Sequence, residues 1–213
     1  MTLSDTFKIC LDIKKGETVL LLTDTEMGKV AGIIKDAVES LPGELVFVFM
    51  PPREIHGEEP PRAVASAMES SDVVIAATSK SLTHTQATKN AVKHGTRVAS
   101  MPGITIEMLT NGGMTADYRE VAEAARRVAE VLTQGRTIEI KTSAGTDFKT
   151  SIYRREGYAD TGLLTKKGDF GNLPGGEGFI APLEGKSEGR IVFDGPIASS
   201  GLFHAPLVVE VEN

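Results

Sequence analysis

Hydrophobic and polar positions alternate in two different textures along this chain. Up to about residue 134, short unbroken apolar runs are separated by stretches whose apolar residues recur every three or four positions. The runs are ETVLLLT at Glu17–Thr23, LVFVFM at Leu45–Met50, Val73–Ala77 and Arg97–Ser100. Runs this short and this uniformly apolar predict strands buried on both faces of a parallel sheet. Between them, Met27–Ser40 places Val30, Ile33, Ile34, Ala37 and Val38 on one side of a helix, and Pro42-Gly43 stops it. Helices are also predicted from Pro61 to about Glu69, over Thr83–His94, over Thr105–Asn111 and over Asp117–Leu132. Ser4 would cap a first short helix carrying Phe7, Cys10 and Leu11 on one face. Strand followed by helix, repeated in this way, predicts an α/β fold: a Rossmann-like parallel sheet with helices on both faces.

The texture changes after Gln134-Gly135. TIEIKT, Asp147–Tyr153, GFIAP, RIVFDG and LVVEVE read as strands among glycines, with no helical period. Two domains are therefore expected. Residues 1–134 form an α/β Rossmann-like domain, and residues 135–213 form the start of a β-rich catalytic domain.

Composition narrows the function classes. The 213 residues are 40% hydrophobic, enough for a sizeable core, and carry a net charge of −6 with a pI near 5.3. That balance argues against a non-specific binder of nucleic acid or of anionic membrane. Cys10 is the single cysteine, which excludes an internal disulfide and a cysteine-built zinc site. The N-terminus shows no signal-peptide pattern, and no apolar run approaches the roughly 18 residues of a membrane span. A cytoplasmic protein is expected.

Candidate chemistry is sparse. Glu177 stands in Asn172–Pro182, NLPGGEGFIAP, after two glycines and before a run that reads as a buried strand. A carboxylate held there is either a metal ligand or the cap of a turn. Asp24 ends the first predicted strand, where α/β proteins place their sites, or it caps the next helix. His84, in SLTHT, stands near a helix N-terminus, where it would meet a ligand or the partner domain or serve structure alone. Thr23 and Val30 stand where a phosphate loop needs Gly and Ser or Thr. HExxH and GxSxG are absent from the sequence, His204 is isolated in GLFHAP, and Asp147 and Asp194 read as turn residues.

Several segments taken together resemble the aminopeptidase T family of metalloaminopeptidases. They are SLTHTQA (Ser81–Ala87), RVASMPGI (Arg97–Ile104), Asp117-Tyr118, GTDF (Gly145–Phe148), GNLPGGEGFIAPLEG (Gly171–Gly185), Glu188-Gly189 and IVFDG. They keep the family's order and cover nearly the whole chain, and the NLPGGE block is the specific one. The resemblance implies an α/β domain followed by a β-rich catalytic domain. It implies Glu177 as one ligand of a centre of two divalent metal ions (zinc, cobalt or magnesium). It also implies a peptide substrate, hydrolytic release of N-terminal residues and a homodimer. The family's remaining ligands lie beyond LVVEVEN, so the chain is expected to be the N-terminal part of such an enzyme and inactive alone. Thr88 stands where family members carry arginine. Two other readings stay open: a related iron-dependent ring-cleaving dioxygenase, and a non-enzymatic binding fragment.

Overall fold

The computed structural model describes residues 1–197, 201 and 204–212. The chain divides into two compact units, residues 1–124 with 160–176, and residues 125–159 with 177–213.

In the first unit the helices are α1 (Leu3–Leu11), α2 (Gly28–Glu39), α3 (Arg62–Glu69), α4 (Gln86–Lys93), α5 (Ile106–Thr110) and the start of α6 (Tyr118–Gln134). The strands are β1 (Thr18–Asp24), β2 (Glu44–Met50), β3 (Val73–Ala77) and β4 (Arg97–Ser100). Helix starts shift from the sequence expectation to the residue after the side chain that caps the first turn. Thr2, not Ser4, caps α1: its hydroxyl accepts from Asp5 N–H (3.1 Å) and Asp5 accepts from Thr2 N–H (3.1 Å). Thr85 caps α4 by accepting from Thr88 N–H, so Thr83 and His84 lie outside that helix.

The sheet is parallel in the order β2-β1-β3-β4-β8, with β8 spanning Phe170–Asn172. Alternate residues of β1 and β3 feed opposite cores. Val19, Leu21, Val73 and Ile75 pack with α1 and α2 through Phe7, Leu11, Ile34 and Val38. Leu20, Leu22, Val74 and Ala76 pack with α3 and α4 through Val64, Met68, Ala87 and Ala91. Both faces are thus covered, which is why these runs carry no polar alternation.

Two sheet positions differ from the expectation. β2 is an edge strand, and its residues before Met50 are exposed or half-buried, with Val46 and Phe49 exposed. The fifth strand comes from beyond residue 134: Val98, Ala99 and Ser100 pair with Phe170, Gly171 and Asn172. Three residues with glycine at the centre carry no hydrophobic period, so only the long-range pairing identifies β8 as a strand. Leu164 and Leu173 of the same returning segment are buried in the α1–α2 core.

The second unit holds the rest of α6 and an antiparallel sheet ordered β11-β10-β6-β5. Its strands are β5 (Thr137–Lys141), β6 (Asp147–Ser151), β10 (Ser187–Phe193) and β11 (Leu207–Val211). The register sorts its faces. Ile140, Phe148, Gly189 and Val211 align on one. The other carries the ion pairs Lys149–Glu139 (3.2 Å), Lys141–Asp147 (3.5 Å) and Arg190–Glu210 (2.7 Å). β7 (Tyr158–Asp160) and β9 (Glu177–Phe179) form a separate two-stranded sheet. The predicted buried strand GFIAP is therefore corrected. The strand starts at Glu177 and ends at Phe179, and both of those residues are exposed.

Candidate functional site

In the parallel sheet the strand order reverses between β1 and β3, and ligands of such sheets bind outside the carboxyl ends at that point. Asp24 ends β1 there and is fully buried. Its Oδ2 accepts from Ser79 N–H (2.6 Å) and Ser79 Oγ (2.8 Å), and its Oδ1 accepts from Glu26 N–H (3.1 Å). The carboxylate straps β1 to the loop after β3. The N-cap of α2 is Met27, so Asp24 does not cap that helix. His84 is exposed and immediately precedes the α4 cap. The α4 N-terminus is occupied by Glu59, whose carboxylate accepts from Gln86 and Ala87 N–H. The rim is hydroxyl-rich: Ser81 Oγ donates to Thr83 Oγ1 (2.8 Å), which shares a hydrogen bond with Ser100 Oγ (2.8 Å).

The NLPGG turn leaves the carboxyl end of β8 on the same rim. Leu173 N–H donates to Ser100 C=O (3.0 Å), continuing the strand pairing by one residue. Gly175 N–H donates to the Tyr118 hydroxyl (3.3 Å), and Tyr118 is completely buried. Asp160 lies beneath the turn. Its Oδ1 accepts from Gly162 N–H (3.1 Å), and a Cβ at position 175 would stand 3.0 Å from that oxygen. Gly162 has φ +67° and a Cβ there would meet the Tyr118 ring at 2.3 Å, so glycine is required twice over. Tyr118 and Asp160 thus build the bed of the turn. Tyr118 belongs to a motif visible in the sequence, whereas Asp160 had no local signal because its partners are 2 to 15 residues away in a loop.

Burial pushes the Tyr118 phenol up to about 12, helped by the neighbouring Cys10 and Asp160. Burial likewise pushes the Cys10 thiol up to about 12. Both groups are neutral core members and not nucleophiles.

Glu177 follows the turn as the first residue of β9 and is exposed. A Cβ at position 178 would lie 2.6 Å from Val128 Cγ1 of α6, so β9 is pressed onto that helix with its glycine facing inward. Residues 177 and 179 then share the outward face by the period of a strand. The Phe179 ring lies 5.8 Å from that of Tyr158, tilted by 30°.

Among the described residues no three His, Cys, Asp or Glu side chains gather closely enough to hold a metal ion. The donors among the described residues therefore do not fit a complete metal centre. Asp24 and His84 lie in the first unit and Glu177 in the second. His204 is exposed. No described helix is long and apolar enough to cross a membrane.

Comparison with known proteins places this architecture. No curated protein matches the sequence. The structure is similar to that of 2,5-dihydroxypyridine dioxygenase from Pseudomonas putida KT2440, with a TM-score of 0.70 and 18% identity, over 99% of this chain and 65% of that one. It is also similar to wild-type AmpT from Thermus thermophilus, with a TM-score of 0.66 and 15% identity, over 99% of this chain and 68% of that one. The chain thus spans about two thirds of the length of the relatives it matches. At these identities the likenesses show the fold alone. The family model that fits the sequence, over residues 2–196, is NicX, 2,5-dihydroxypyridine 5,6-dioxygenase. This match overturns the expected aminopeptidase activity and the hydrolase and protease chemistry that went with it. The physical reason is visible in the turn: the glycines of NLPGGEG are required by packing on Asp160, Val121 and Val128, so the block marks a fold and not a reaction. The chain belongs to the NicX family, 2,5-dihydroxypyridine 5,6-dioxygenase.

Proposed function

We propose that this chain serves in a ring-cleaving dioxygenase that acts on a dihydroxylated pyridine. The match of the NicX family over residues 2–196 is the observation that carries the reading. A 5,6-dioxygenase breaks the ring bond between those carbons and places one oxygen atom of O2 on each. Ground-state O2 reacts poorly with a closed-shell ring, so this chemistry calls for a redox-active metal such as iron. That requirement favours iron(II) over a pair of zinc, cobalt or magnesium ions. Glu177 is the carboxylate this chain would contribute, because the bedded turn before it and the glycine after it hold its backbone on both sides.

The test is oxygen uptake, with loss of the ring's ultraviolet absorbance, by the polypeptide encoded by the whole reading frame. It would be loaded with Fe2+ under nitrogen and then given O2 and 2,5-dihydroxypyridine. One O2 consumed per ring is expected. Glu177→Gln keeps the shape but loses the charge, and is expected to slow the reaction roughly 100-fold, or about 2.7 kcal/mol of barrier. No uptake by the wild type would overturn the dioxygenase reading. Near-native rates for Glu177→Gln would remove the residue from the site. The 213-residue chain by itself is expected to bind Fe2+ or Zn2+ more weakly than roughly micromolar, since one carboxylate falls short of the three or four ligands of a stable site. Tight one-to-one binding in calorimetry would contradict this.

A further inference from the structure

The outward face of the β7–β9 sheet sets beside Glu177 two aromatic side chains that neither the fold nor the metal reading uses. Tyr158 and Phe179 are large aromatic side chains that are 53% and 49% exposed. They are not scattered. Their rings sit 5.8 Å apart and tilted by 30°, an aromatic pair that leaves ring area open to solvent. Gly178 fixes their direction, because the 2.6 Å approach of a position-178 Cβ to Val128 Cγ1 keeps the opposite face of β9 against α6. Glu177, two residues before Phe179 on the same strand, opens onto that same face. An acceptor-only group therefore stands beside an exposed aromatic surface.

We infer that Tyr158 and Phe179 form a stacking shelf for the planar ring of a hydroxylated aromatic substrate, with Glu177 at its edge as acceptor for a ring hydroxyl. The inference rests on the ring-cleaving reading for its choice of occupant, and it extends that reading to the residues that orient the ring. A flat ring fits because it adds a further aromatic contact to the exposed ring area of the two side chains, and a hydroxyl fits because the neighbouring carboxylate only accepts. An aliphatic ring with the same hydroxyls satisfies the carboxylate but not the stack. Aromaticity is therefore the property the shelf selects.

The experiment is a titration of the 15N-labelled 213-residue chain with 2,5-dihydroxypyridine, under nitrogen and with a chelator present. Saturable amide shifts centred on Tyr158, Gly178 and Phe179 are expected. Phe179→Leu and Tyr158→Leu should each weaken binding on the order of tenfold. Phe170→Leu, at another exposed aromatic residue on β8, should leave it unchanged. Cyclohexane-1,4-diol should produce no saturable shifts there. Equal affinity for Phe179→Leu, equal response to the aliphatic diol, or shifts confined elsewhere would each overturn the shelf. So would concentration-dependent protection of β9 amides without ligand, which would assign the face to another polypeptide. Because the titration is free of metal and O2, its failure is separate from that of the oxygen-uptake assay. Uptake without shelf binding sinks only the shelf, and shelf binding without uptake sinks only the dioxygenase reading.

Discussion

Buried neutral groups near the motif make alkaline stability a sensitive readout at the scale of single residues. Tyr118 and Cys10 are both completely buried, and burial raises both. In the unfolded chain the thiol ionises near its ordinary 9.0 and the phenol near 10.0, whereas in the folded chain both keep their protons to about 12. A group raised by folding contributes stability that is present below its unfolded value and is lost as pH climbs toward the folded one. Stability is thus expected to be flat below about pH 9 and to fall steadily from there toward pH 12. Cys10→Ala removes the first of the two ionisations, so its decline should begin about one pH unit later, with the phenol. Urea unfolding at intervals from pH 8 to 11 measures this, and a curve flat to pH 11 would mean that neither group is shielded from water. Glu17 offers a contrast: it meets the buried Arg97 guanidinium, which also donates to Asp12 C=O (3.4 Å), and ties the β1 entry to β4.

At the scale of elements, the contact of β9 with α6 decides whether the strand after the motif is held. Replacing Gly178 by alanine would force a methyl group to within 2.6 Å of Val128 Cγ1 and 3.0 Å of Ala125 C=O. Overpacking of this kind costs about 1–3 kcal/mol. Val128→Ala removes the Cγ1 obstacle but leaves Val128 Cβ at 2.7 Å and the Ala125 carbonyl in place. The penalty of Gly178→Ala is therefore expected to shrink by about 1 kcal/mol in the Val128→Ala background without vanishing. A double-mutant cycle by chemical denaturation gives the answer. Strict additivity would show that β9 moves freely off the helix. The pressed geometry matters beyond stability, since it sets the outward direction of Glu177 and Phe179.

For the whole molecule, the chain's return to the first unit is the decisive feature. Residues 160–176 leave the second unit, add β8 to the edge of the parallel sheet and bury Leu164 and Leu173 in the α1–α2 core. A chain cut at Gln134 would expose the β4 edge and open holes where those leucines sit. Each lost leucine is worth about 2–5 kcal/mol by analogy with large-to-small core changes. Adding a purified peptide of residues 156–178 to a chain ending at 134 is therefore expected to raise its melting temperature, and a Leu164→Ala, Leu173→Ala version of that peptide is not. If the shortened chain melts as cooperatively and as high without the peptide, the returning segment is an accessory and not part of the core.

The sequence by itself determined the α/β class, the four apolar strands, the helices between them and the two-faced sheet that follows, because each of these is written in a local period. It also marked NLPGGE as unusual. Three things were decided only by tertiary structure. One is the fifth strand, whose three residues mean nothing until they lie beside Val98–Ser100. Another is the reason for the motif's glycines, which is steric and comes from Asp160, Val121 and Val128, residues 15 to 55 positions away. The last is the edge position of β2, which no run of apolar residues can report. A short period records which face of an element is buried. Which elements meet is set by closure of long loops and by shape, and those are properties of the folded whole.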